Sequence, residues 1–169
     1  MKTPANLWFT RSLALALLLL GGTGYANDNS DSTFISAALR NSQQQLARAQ
    51  QAIHYGKTLA VRDQAQGVLD EHSTLLRELQ ALAQKKGLPA QSDAPLKPQA
   101  SQDQLRTSER FDHDYAAEQL KASKAALESF ERMSKDGSDP DLQGFARQWL
   151  PMLYHQREIA DQLLASQAS

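Results

Sequence analysis

The sequence predicts an all-α fold, a four-helix bundle, and three observations carry that prediction. Alanine, glutamine and leucine are abundant while β-branched residues are few, a composition that favours helix over strand. Glycine and proline fall at a few separated places and cut the chain into four segments. Within each segment apolar residues recur at alternating steps of three and four, the mark of a helix with one buried face.

Ahead of the first helix the chain reads MKTPANLWFTRSLALALLLLGGTGYA. Lys2 and Arg11 supply a positive start, Leu13 to Leu20 a short apolar run, and Gly24 and Ala26 small residues at a cleavage site. Residues 1–26 are expected to be a secretory signal peptide, too short in its apolar part to span a bilayer stably. The mature chain, 27–169, is expected to form a single domain. No cysteine follows the apolar run, which argues against a lipid anchor, and the chain has no cysteine at all. Disulfides, cysteine metal sites and thiol nucleophiles are therefore excluded. Loss of Lys2 and Arg11 leaves 16 basic against 19 acidic residues and moves the net charge from −1 to −3. Such mild acidity, with no dense basic face, argues against a nucleic-acid partner. No second apolar run is long enough for a transmembrane helix in the mature chain.

The first helix is expected from about Asp31 to His54, capped by Asp31, Ser32 or Thr33 and stopped by Gly56. Its seam is Ile35, Leu39, Ser42, Leu46, Ala49 and Ile53, with Gln43 to Gln45 largely beside it. The second helix is expected from about Leu59 to Lys86, with Thr58 as cap, Gly87 just past the end and Pro89 beyond. Its seam is Val61, Ala65, Val68, His72, Leu75, Leu79 and Leu82, so a histidine holds an apolar position. Residues 88–103, with three prolines and no periodicity, read as a mobile connection. The third helix is expected from about Ser108 to Asp136, with Leu120, Ser123, Leu127 and Phe130 on one seam and Phe111, Tyr115 and Ala122 on another. The fourth starts at Asp139-Pro140, cap and first helical residue. Its seam is Leu142, Phe145, Trp149, Met152, Gln156, Ile159 and Leu163, and Pro151 is expected to kink or break it. Short first and third connections make two antiparallel hairpins, and the expected order is up-down-up-down with 88–103 crossing one end. No internal self-similarity supports a repeat array.

Four segments, FISAALRNSQQQLARAQ, VLDEHSTLLRELQALAQKKGLP, RFDHDYAAEQLKAS and DPDLQGFARQWLPMLYHQ, carry a resemblance. Together they resemble the domain-of-unknown-function 4142 family of secreted bacterial proteins, often described as predicted outer membrane proteins, from about Phe34 to Leu164. The resemblance implies a ferritin-like bundle in the periplasm, with association with the outer membrane as a further option, and it implies no established activity. Two positions depart from the family's usual pattern: Gln43–Gln45 stand where a glutamate is usual, and Ser123 where a histidine is usual. Both departures remove groups that could complete a metal site.

Ferritin-like di-iron centres need a glutamate from each of two helices and Glu-x-x-His from each of the other two. Here Leu69 precedes His72 by three and Met152 precedes His155 by three, and no glutamate lies between Phe34 and Ile53. A di-iron centre is not expected, and neither is any other cofactor. The weak metal candidates are His72, His155 and Glu118, with Asp114 as a further oxygen donor; the expected state of His72 is instead a neutral core residue bonded to Ser42, Ser123, Tyr115 or Gln119. Asp70 and Glu71 are expected to point away from the seam. His54 and His113 read as surface residues. Ser73 diverges from His72 by about 100° around a helix, so the two cannot act as nucleophile and base. Phe145, Trp149, Met152 and Tyr154 read as core packing about Pro151. No catalytic residue is expected. The expected role is non-enzymatic, in binding or stress, at the cell envelope. Its alternatives are a metal-binding or redox protein using His72 and His155, and an interaction module that forms homo-oligomers or engages an envelope protein.

Overall fold

The computed structural model describes residues 25–90 and 105–167, with side chains from residue 30 onward. The expected signal peptide falls outside the described residues except at its last two positions, and so does most of the 88–103 connection. The described residues are all-helical, with no strand among them. Four long helices account for most of them: α1 (Tyr25–Tyr55), α2 (Leu59–Lys85), α3 (Phe111–Asp136) and α4 (Pro140–Ser166). Residues 105–107, also helical, precede α3.

Helix ends follow local chemistry closely. The Thr58 side chain caps α2 by accepting from Val61 N at 3.4 Å. At the other end of α2, Gly87 takes φ +67. There Leu88 N donates to Ala83 O at 2.9 Å and Gly87 N to Gln84 O at 3.1 Å, the paired bonds of a Schellman motif. Asp139 caps α4 through Oδ1, which accepts from Asp141 N at 2.9 Å and Leu142 N at 3.0 Å, and Pro140 opens the helix. α1 is already helical at Tyr25, the first described residue and ahead of the expected Asp31, and so runs through Ala26-Asn27. α3 starts at Phe111 rather than Ser108. Ser108 Oγ instead accepts from Arg110 N at 3.1 Å and donates to Asp114 at 2.5 Å, holding the chain just before the helix.

The seams need adjustment where a helix meets two neighbours. On α1 the buried set is Asp31, Phe34, Ile35, Ala38, Leu39, Ser42, Gln45, Arg48, Ala49 and Ala52, while Leu46 and Ile53 of the expected seam are half-buried. Gln45, expected beside the seam, is therefore in it, because α1 packs on α3 as well as on α2. On α2 only the last position moves, from Leu82 to Ala83. On α4 Ala146, Leu153 and Ala160 are buried in place of Trp149, Met152 and Ile159, which are half-buried. α4 is a single unbroken helix through Pro151, so of the expected kink or break the break does not occur. Pro151 is exposed, so its ring faces solvent and the lost donor falls on the outer side of the helix.

The order of helix directions also differs from expectation. Lys57 N and Thr58 N, in the α1–α2 turn, donate to Asp112 Oδ1 and Oδ2 at 2.8 Å each. The start of α3 thus sits beside the start of α2. At the opposite end Lys86 Nζ lies 2.5 Å from Asp139 and 2.9 Å from Asp141, at the start of α4. α2 and α3 are therefore parallel, and the order is up-down-down-up rather than up-down-up-down. The chain from Lys85 to Phe111 joins opposite ends of the molecule. α2 is about 40 Å long at helical rise, within reach of the 25 intervening residues at about 3.3 Å each.

Candidate functional site

The interior is two apolar clusters separated by a polar level. One cluster gathers Phe34 to Leu39, Leu75 to Ala83, Ala126 to Met133 and Leu142 to Leu153 from the four helices. The other gathers Ala49 and Ala52, Val61 to Val68, Leu105 with Phe111 to Ala116, and Leu163. Between them the buried residues are Ser42, Gln45 and Arg48 on α1, His72 on α2, Gln119 and Ser123 on α3, and Gln156 on α4, with Leu120 and Ala160 the apolar exceptions. Cross-helix contacts fix the level. Phe34 and Phe130 meet below it, with ring centroids 5.1 Å apart, and Arg48 faces Glu118 at 3.9 Å above it. His72 meets Gln156 across α2 and α4 at 3.0 Å.

Hydrogen bonding orients most of these groups. Glu71 Oε2 accepts from Gln156 Nε2 at 2.6 Å. A carboxylate only accepts, so the Gln156 amide nitrogen faces Glu71 and its Oε1 faces His72. His72 must then donate from Nε2, which leaves Nδ1 as a lone pair. Burial pushes the His72 pKa down to about 4, against a smaller upward pull from the Gln156 bond. The imidazole is neutral at neutral pH. Gln45 is fixed in the same way, because its Oε1 accepts from Arg48 Nη1 at 3.3 Å. Burial lowers the Arg48 pKa from its ordinary value, while Glu118 and Tyr115 oppose that.

Four buried atoms of this level have no hydrogen-bond partner among the described residues: Gln45 Nε2, His72 Nδ1, Gln119 Oε1 and Ser123 Oγ. A buried polar atom left unpaired costs about 1–3 kcal/mol. The arrangement can therefore bind and orient a small polar group. Among the described residues His72 is hydrogen-bonded to Gln156 and to no hydroxyl, and its neighbour Ser73 donates to Leu69 O at 2.6 Å on the exposed side of α2.

The sequence-predicted site residues are not brought together. His72 is in the interior, but His155 is exposed, one helical step from the inward Gln156. Glu118 is half-buried and faces Arg48. Among the described residues no three His, Cys, Asp or Glu side chains converge on a position that could hold a metal ion. Asp114, the further oxygen candidate, lies near the end of the molecule, with burial pushing its carboxyl up while bonds from Ser108, first, and His113 hold it below the usual carboxylate range. Sequence reasoning missed three participants. Gln156 is the partner of His72, in place of Ser42, Ser123, Tyr115 or Gln119. Glu71 does not point away but anchors Gln156. Asp112 is buried and serves the α2 start. The position of Gln156 in the fourth seam, facing the position of His72 in the second, was the available signal.

The aromatic patch near Pro151 divides. Phe145 packs on Phe130 and Trp149, with centroids 6.2 Å apart in each case. Trp149 Nε1 donates to Glu78 at 3.1 Å. Tyr154 is exposed and donates to Glu131.

Two solved structures share this fold. A fragment of a DUF305 protein from Deinococcus radiodurans superposes with a TM-score of 0.71 at 17% identity, covering 81% of this chain and 96% of its own. A structure described as CopM in the Cu(I)-bound form gives a TM-score of 0.69 at 13% identity, covering 80% and 96%. At these identities the likeness is one of fold. No curated protein matches the chain. The sequence model of the domain of unknown function DUF4142 matches residues 22–163, and the chain belongs to that family.

Proposed function

We propose that the chain is a secreted, non-enzymatic binding protein of the cell envelope, built on a ferritin-like four-helix bundle whose polar central level is made of neutral side chains with one paired arginine, Arg48, at its edge. The observation that carries this reading is that level itself. It presents amides, hydroxyls and one neutral imidazole, with Arg48 held by Gln45 and Glu118 at its edge, and four of its buried atoms have no partner among the described residues. Groups of this kind bind by hydrogen bonding and supply neither a nucleophile nor an acid–base pair. A single long connection between two helical hairpins is also the ferritin-like pattern. The positive, apolar and small-residue run of residues 1–26 supports secretion, and no helix among the described residues is long and apolar enough to cross a membrane.

A metal-binding role is the second reading. It is favoured by the Cu(I)-bound form of one fold relative, CopM, together with the inward, unprotonated Nδ1 of His72. His155 does not share that site, so the version that pairs the two histidines is not proposed again.

One preparation tests both readings. The full chain is expressed in a bacterial host, fractionated, and assayed for its N-terminus and for bound metal after exposure to Cu(I), Zn(II), Fe(II) and Mn(II) in turn. A periplasmic protein beginning at Asn27 without stoichiometric metal is the expected result. Stoichiometric metal that His72→Ala abolishes would establish the second reading. Retention of residues 1–26 in the cytoplasm would overturn the envelope assignment.

A further inference from the structure

We propose that the polar level is a closed binding site for a small uncharged hydrogen-bonding ligand, either water or a water-like hydroxylic solute. The inference deepens the binding reading but does not depend on where in the cell the protein resides. Its starting point is that the unpartnered atoms belong to side chains on three helices, all in the polar stretch between the two apolar clusters. Gln45, His72, Gln119 and Ser123 are each 1% exposed. Leaving several such atoms unpaired would consume a large part of a domain's stability, so something supplies their hydrogen bonds.

Donor and acceptor types narrow the ligand. Gln45 Nε2 is a donor, fixed by the bond from Arg48 to its Oε1. His72 Nδ1 is an acceptor, fixed by the chain from Glu71 through Gln156 to Nε2. Gln119 Oε1 accepts, and Ser123 Oγ does either. A metal cation at this level would face the N–H groups of Gln45. An anion would face the lone pairs of His72 and Gln119. The formal charges nearest the level are already engaged: Arg48 with Gln45 and Glu118, and Glu71 with Gln156. Water donates twice and accepts twice, so it serves the two acceptors, the Gln45 donor and Ser123 without adding charge, whereas one hydroxyl group has a single proton and serves only one of the acceptors. The flanking apolar clusters close the level above and below, which favours a ligand that exchanges slowly.

The test uses the whole folded protein. Oxygen-17 magnetic relaxation dispersion reports water held longer than the tumbling time. Native mass spectrometry reports a retained solute as a mass difference that denaturation removes. A high-resolution crystal structure shows what lies between the four atoms. The expected result is a long-lived water signal, or a stoichiometric neutral adduct, with matching density against Gln45, His72, Gln119 and Ser123. The first outcome assigns water and the second a solute. The signal should be lost in Gln119→Leu and, independently, in His72→Leu; a variant that fails to fold leaves the wild-type measurements decisive. Density showing the four atoms bonded to one another with nothing between them, and no slow water or adduct, overturns the proposal. So does a stoichiometric ion in their place. A dry level would leave the periplasmic assignment standing, since cell fractionation decides that separately.

Discussion

His72 shows how much one residue's surroundings decide. Its ring is held neutral because burial raises the cost of the charged form more than the Gln156 bond lowers it. In the unfolded chain the same group titrates near its ordinary pKa of about 6.5. Folded protein therefore binds fewer protons than unfolded protein between those two pKa values. The stabilising contribution is complete above about pH 6.5 and is lost as pH falls toward about 4. Over that window the change is on the order of 3 kcal/mol. Urea midpoints between pH 7 and pH 4 should fall in the wild type and fall less in His72→Leu; parallel profiles would show that another group controls the acid side. Asp112 is the second residue of consequence. Its carboxylate takes two backbone N–H groups of the α1–α2 turn, and Asp112→Ala should cost about 1–3 kcal/mol. A urea midpoint unchanged by that substitution would show that water replaces the carboxylate at no cost.

At the scale of elements, the sequence was most legible where a single local interaction decides. Thr58, Gly87, Asp139 and Pro140 each act within a few residues of their own position, and each is found in its expected role. The second seam is right in all but its last residue because α2, although it also meets two helices, α1 and α4, buries one narrow stripe with a single residue per step. The first seam missed Gln45 because a second neighbour widens the buried face of α1, and a sequence does not state how many neighbours a helix has. The partner of His72 was illegible for the same kind of reason. It depends on which two helices face each other, and Gln156 lies 84 residues away. Pro151 is a further case. It removes a backbone donor, yet the helix continues because the ring is exposed and packing on both sides holds the segment in place. Pro151→Ala should restore that hydrogen bond to Arg147 O and raise stability by about 1–3 kcal/mol, less any gain in unfolded-chain entropy. Thermal unfolding measures it, and a lowered Tm would show that the proline ring itself contributes to the packing.

At the scale of the molecule, the connection between the two hairpins sets the topology, and its length was visible while its destination was not. Sixteen or so residues can cross the end of a bundle or run its length, and composition does not separate the two. The contacts of the folded chain do. Lys57 Nζ donates to Glu109 O at 2.5 Å, so the approach to α3 lies beside the α1–α2 turn. Lys86 is at the other end, clamped to Asp139 and Asp141. Those bonds raise the Lys86 pKa; they hold the Asp141 carboxyl low and, with the α4 backbone amides, hold Asp139 low against the upward push of burial. The absence of cysteine from the chain makes the arrangement directly testable. A pair of cysteines placed by Lys57→Cys and Glu109→Cys should be joined by a short bifunctional thiol reagent in the folded protein. Lys86→Cys with Glu109→Cys should not, because about 40 Å of helix separates the two ends. An up-down-up-down bundle would reverse both outcomes, bringing Glu109 to the Lys86 end. The same experiment bears on the polar level, because the heights of Gln119 and Ser123 relative to His72 follow from the direction in which α3 runs.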